Sequence, residues 1–145
     1  MVWFVYLRAL HDVRRHFASI KPKRDVLCEL MVIRLISSSP AFREYAAGRE
    51  AAVATEMARV LRIVVNNSRN LEEWWELLEE LGARLGAMGL AVGASNSISR
   101  VLEGALIDGV SATEPEVEAW RIFVGAAWGG MLPGIVHAQK KRLAA

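Results

Sequence analysis

Leu71-Glu72-Glu73-Trp74-Trp75-Glu76-Leu77-Leu78-Glu79-Glu80-Leu81-Gly82-Ala83-Arg84-Leu85-Gly86 is the most regular run in this 145-residue chain. Leu71, Trp74, Trp75, Leu78, Leu81 and Leu85 recur at three- and four-residue intervals, the period of one face of an α-helix. Glu72, Glu73, Glu76, Glu79 and Glu80 form an acidic stripe, and the first two suit the positive end of the helix dipole. Glycines at 82, 86, 89 and 93 then fall at helical spacings. Each costs about 1 kcal/mol of helix propensity, which the close approach of a second backbone would offset. Gly125-xxx-Gly129 and Gly130-xxx-Gly134 repeat the pattern near the end of the chain. Helix packing within the chain is the expected use, and a strip for another subunit is the alternative.

The same periodicity predicts six helical segments and no strand. The first runs from Val2 to Ser19, with Val2, Trp3, Tyr6, Leu7, Leu10, Val13, Phe17 and Ile20 on one side. Arg8, His11, Arg14 and Arg15 cluster on the other, with Asp12 at the edge. Lys21-Pro22-Lys23-Arg24 breaks it, because Pro22 disfavours helical geometry at the residue before it. Asp25 is the expected cap of a second helix over Val26–Ile36, apolar enough to be enclosed on most sides. A third helix is expected over Ala41–Val65, before the loop Asn66–Asn70. A short fifth helix follows over Ile98–Ile107. Thr113-Glu114-Pro115-Glu116 reads as a capping box opening a sixth, kinked at Pro133. The expected architecture is all-α: a basic helix-turn-helix arm over residues 1–38, then a four-helix bundle over residues 39–145.

Charge divides along the chain. Residues 1–69 hold 12 Lys/Arg against 6 Asp/Glu, and residues 70–145 hold 6 against 10. Arg8, Arg14, Arg15, Lys21, Lys23 and Arg24 stand against only Asp12 and Asp25 in the first 25 residues. Closely repeated cations suit a phosphate backbone, and arginine grips phosphate oxygens with a forked geometry. Those six with His11 are therefore the candidate nucleic-acid-binding residues, a solvated helix face being the bland reading. Trp3, Leu7, Leu10, Gly82, Gly86, Gly125 and Gly129 are the candidates for subunit or helix packing. Trp3 and Phe4 could stack on bases, but docking against protein is the expected role.

Other functions lack residues to carry them. No Gly-rich phosphate loop precedes a Lys-Ser/Thr pair, and no histidine stands at metal spacing from the acidic stripe. No catalytic site, metal, cofactor or small-molecule substrate is expected, and the chain is not read as an enzyme. Cys28, the only cysteine, excludes an intramolecular disulfide and reads as a small buried hydrophobe. Arginine outnumbers lysine 14 to 4 and Gln139 is the only glutamine, a composition that leans towards a hot habitat. No secretory signal is read at Met1–Leu7, and the uncharged runs Leu85–Ser99 and Ile122–Gln139 fall short of a membrane span.

The Arg8–Arg15 face, the Lys21–Arg24 turn, the apolar Val26–Ile36 helix and the Gly-rich helices at 82–93 and 125–134 resemble, in architecture, the major coat proteins of filamentous and rod-shaped archaeal viruses. The resemblance implies subunits that wrap double-stranded DNA in A form without reading its sequence, pairing with copies of themselves or with a paralogous coat subunit, in a virion. The strongly apolar Met1–Leu7 start departs from an exposed arm and favours one clamped by a partner subunit. Two other readings remain open: a small all-helical subunit of a CRISPR effector complex, and a cytoplasmic helical module whose basic arm meets an acidic protein.

Overall fold

A computed structural model describes residues 2–90 and 95–144, without the side chains of Val2, Trp3, Ser95 and Asn96; Gly93 lies outside the described residues. The chain is all-helical, with no strand among the described residues. Among the described residues seven α-helices follow in order: α1 Val2–Ser19, α2 Arg24–Ser38, α3 Pro40–Ala46, α4 Glu50–Asn66, α5 Leu71–Ala87, α6 Ser95–Val110 and α7 Glu114–Ala144. A 3₁₀ turn, Lys21–Lys23, joins α1 to α2.

The glycines of α5 and α7 hold the two helices backbone to backbone. A Cβ on Gly82 would lie 2.0 Å from the Met131 carbonyl oxygen, and one on Gly134 would lie 2.3 Å from that of Glu79. Gly86 meets Ile135 and Ala138, while Gly130 lies under Trp75 and Leu78. Contact positions advance together along both helices, so α5 and α7 run parallel. Gly125 and Gly129 behave differently. Among the described residues nothing lies within 4 Å of a Cβ on either, so neither serves a close helix approach there. Pro133 does not end α7, which continues through it. Its missing N–H costs the Gly129 carbonyl its helical partner, and Gly129 is exposed where water can replace it.

Around this pair the core is lined by aromatics. Trp74 packs on Phe123, Phe123 on Trp120, and Trp120 edge-on against Phe17 of α1, with ring centroids 5.5–6.1 Å apart. The Trp74 indole donates to the Val64 carbonyl at 2.9 Å, tying α5 to the end of α4. Leu10, Val13 and Phe17 of α1, and Leu27, Met31 and Leu35 of α2, share one core cluster with Trp74, Trp120 and Ile135. The helices expected as an arm therefore contribute to the same core as the rest.

Three local expectations are corrected. The segment 41–65 is two helices, parted at Ala47-Gly48-Arg49 where Gly48 takes a φ of +76°. Asp25 is not the cap of α2, which begins at Arg24 with Asp25 inside its first turn. Nor is α2 enclosed on most sides, since Val26 and Ile33 are exposed. At Thr113 half of the capping box forms: the Thr113 amide and hydroxyl both donate to Glu116 Oε1, at 2.8 and 2.9 Å. α7 is long and apolar enough to cross a membrane by length and composition, but Trp120, Phe123 and Ile135 along it are core residues.

His16 joins α1 to α7 inside the protein. Its Nδ1 accepts from the Trp120 indole N–H at 2.8 Å, and its Nε2 lies 3.5 Å from Glu116 Oε2. Burial lowers its pKa from the usual imidazole value, opposed by the Glu116 charge. A protonated Nδ1 would also face another donor. The unfolded chain therefore binds a proton at His16 near pH 6.5 that the folded chain refuses, so this contribution is full above pH 6.5 and shrinks as pH falls below it.

Two predictions follow from this packing. Gly82→Ala is expected to destabilise the fold by about 3 kcal/mol or more, because backbone cannot yield to the new methyl. Gly125→Ala is expected to raise stability by up to about 1 kcal/mol through helix propensity alone; urea midpoints measure both. For His16→Gln, which keeps an acceptor for Trp120 and cannot titrate, the fall in melting temperature between pH 7 and pH 5.5 is expected to flatten.

Candidate nucleic-acid interface

The α1 residues that face away from the core are set by its helical phase. Ala9, Leu10, Val13, His16, Phe17 and Ile20 are buried, which leaves Arg8, His11 and Arg15 along the opposite ridge, all exposed. One helical turn rises about 5.4 Å, so these three groups stand roughly 4–6 Å apart along the axis. Lys21 and Lys23 follow on the 3₁₀ turn and are exposed too. Arg8 approaches Asp12 only at 4.0 Å, with its side chain 78% exposed. Arg15, Lys21 and Lys23 hold no ion pair among the described residues.

Two of the candidate phosphate ligands are occupied otherwise. Arg24 donates from Nε and Nη2 to the Phe17 carbonyl, at 3.0 and 2.7 Å, and its guanidinium lies 3.6 Å from the Phe17 ring centroid. It thereby caps the C-terminal end of α1, where carbonyls lack helical partners and the dipole favours a cation. Arg14 donates to Ser68 Oγ at 2.9 Å, and Ser68 donates on to the Val65 carbonyl at 2.8 Å. Arg14 thus fastens α1 to the α4–α5 loop. Burial lowers the pKa of both arginines, helped by the like charge of Arg69 beside Arg14 and of Arg62 beside Arg24.

Those neighbours enlarge the site. Arg62 ends the exposed side of α4 and Arg69 lies in the following loop, both exposed. Neither is legible as part of the basic cluster from its own sequence surroundings, because the docking of α1 and α2 on α4 is what brings them near Arg14 and Arg24. The exposed cations of this region are thus Arg8, His11, Arg15, Lys21 and Lys23, with Arg62 near Arg24 and Arg69 near Arg14.

The packing candidates divide as well. Leu10 is a core residue, whereas Leu7 is exposed, and the Trp3 side chain lies outside the described residues. Gly82 and Gly86 pack α5 on α7. The acidic stripe on α5 is exposed throughout and forms no ion pair among the described residues. Cys28 is buried, and burial with the charges of Asp25 and Glu29 pushes its thiol up to about 11. Among the described residues no three His, Cys, Asp or Glu side chains group as metal ligands.

No protein-family model matches the chain, and no curated protein is significantly similar to it.

Stability measurements separate the two kinds of arginine. Arg24→Ala is expected to cost about 1–3 kcal/mol, the scale of losing a charged hydrogen bond together with its ring contact. Arg15→Ala is expected to change stability by less than about 0.5 kcal/mol, as exposed substitutions away from such contacts do. Thermal melts at fixed pH check both.

Proposed function

We propose that this chain is a structural subunit that holds a nucleic-acid backbone by sequence-independent phosphate contacts and associates with further copies, as a virion coat protein packaging duplex DNA does. The observation that carries the reading is the group Arg15, Lys21 and Lys23, exposed and without an ion pair among the described residues. Arg15 lies near the end of α1 and the two lysines on the 3₁₀ turn after it, cations repeated at the short intervals that suit a periodic polyanion. Because they stand on the surface of a packed core, they can cradle phosphates without any base-reading group entering a groove.

Binding to a random-sequence duplex, followed by fluorescence anisotropy at several salt concentrations, tests this. With Arg15, Lys21, Lys23 and Arg69 as about four contacts, the log–log slope is expected near −3 to −4. Arg15→Ala/Lys21→Ala/Lys23→Ala should reduce the slope to roughly −1 and weaken binding about 100-fold or more at low salt. Unchanged retention of duplex by this variant, or salt-independent binding, contradicts the proposal. Arg14 and Arg24 are left intact because both also hold the fold.

A further inference from the structure

The first two turns of α1 overhang the body of the protein. Phe4 is 72% exposed, Val5 54% and Leu7 49%. Tyr6 is exposed too, although it lies on the side of α1 that points to the core one and two turns later, at Leu10 and Val13. Exposed apolar residues thus surround the helix here.

A second unpartnered apolar surface lies between α2 and α4. The two helices leave a groove of about 910 Å³ whose walls include Val32, Ile33 and Ile36 on one side and Ala51, Ala54 and Ala58 on the other. Ile33 is 63% exposed. The alanines recur at three- and four-residue steps and leave a smooth floor, so this wall offers hollows where the overhang offers large side chains. Its ends are charged: Asp25, Glu29, Arg62 and Arg59 (the last already paired with Glu56) at one, Glu50 at the other.

From this pairing we infer that the overhanging start of α1 seats in the α2–α4 groove of a second copy of this chain. Size complementarity argues for that occupant, since Phe4, Tyr6 and Leu7 are knobs for an alanine-lined floor. Charge argues for it as well. Arg8 follows the apolar turns directly, and a carboxylate stands at each end of the groove, so Arg8 meets one whichever way the helix runs. Asp12, one turn further on, finds Arg62 at the end that carries it.

Overhang and groove are different surfaces, so the contact is heterologous and propagates from copy to copy instead of closing on itself as a symmetric pair would. Side chains of this size expose on the order of 400 Å² between them. With the groove, each contact buries roughly 800 Å², below the ~1,200 Å² of a stable isolated complex. Association should therefore be weak per contact and grow with concentration. This inference rests on the reading that copies associate, and supplies the surface for it.

Light scattering on size-exclusion fractions of the full chain, without nucleic acid, tests the contact. Wild type is expected to increase in mass steadily with concentration. Phe4→Glu/Leu7→Glu and Ile33→Glu should each be monomeric at the same concentrations with unchanged circular dichroism, and Ala51→Trp, which fills the groove, should match Ile33→Glu. Mixing the overhang variant with the groove variant restores one intact overhang and one intact groove, and is expected to yield a 1:1 heterodimer and nothing larger. Lys21→Ala/Lys23→Ala should assemble like wild type, which separates this contact from phosphate binding. The inference is overturned if wild type stays monomeric up to millimolar concentration, if the groove variants still associate alone, or if the mixture forms no heterodimer.

Discussion

Everything in this fold is arranged around two parallel helices that touch backbone to backbone. Gly82 and Gly86 of α5 and Gly130 and Gly134 of α7 leave no room for a side chain between them. Parallel neighbours cannot be joined by a tight turn, so the chain must cross back between them, and α6 lies on that crossing. The close approach also presents Trp74 to Phe123, and through it the aromatic row reaches Trp120, Phe17 and His16. α1 is thereby held on α7, and with it the direction in which its cationic ridge points.

Arginine serves this chain in two ways that composition alone confounds. Arg24 caps α1, Arg43 donates to the Ile36 carbonyl near the end of α2, and Arg49 donates to the Tyr45 carbonyl near the end of α3. At the end of α5, Arg142 reaches the Gly86 carbonyl, beside a Schellman closure in which Leu90 N–H bonds Leu85 and Gly89 takes a φ of +110°. A forked cation suits this task, since it supplies two donors and charge where the helix dipole is negative. Much of the arginine excess is thus structural, and only the residue stands ready for an outside anion.

Helix identity was legible because apolar periodicity is local, and the loop at Asn66–Asn70 and the acidic start of α5 fall where their residues suggest. Gly48 was missed as a break because the alanine and glutamate residues around it are good helix formers on both sides. The use of Gly82 and Gly86 could be read from spacing, but nothing in sequence distinguishes them from Gly125 and Gly129, which face outward. Non-local pairs left no trace. His16 and Trp120 stand 104 residues apart, and Arg62 and Arg69 come near Arg24 and Arg14 only once α1 and α2 lie on α4. Arg24 looked like one more cation in a basic run; its cap on Phe17 depends on the bend that Pro22 initiates.

A helical body carries exposed cations on α1 and the turn after it, exposed apolar residues at the start of α1 and a groove between α2 and α4. These features suit a subunit that lays copies along a polyanion. Negative-stain electron microscopy of the protein mixed with duplexes of several defined lengths tests that account. Regular filaments whose length rises in proportion to the duplex are predicted, whereas discrete particles of one size at every duplex length would contradict it.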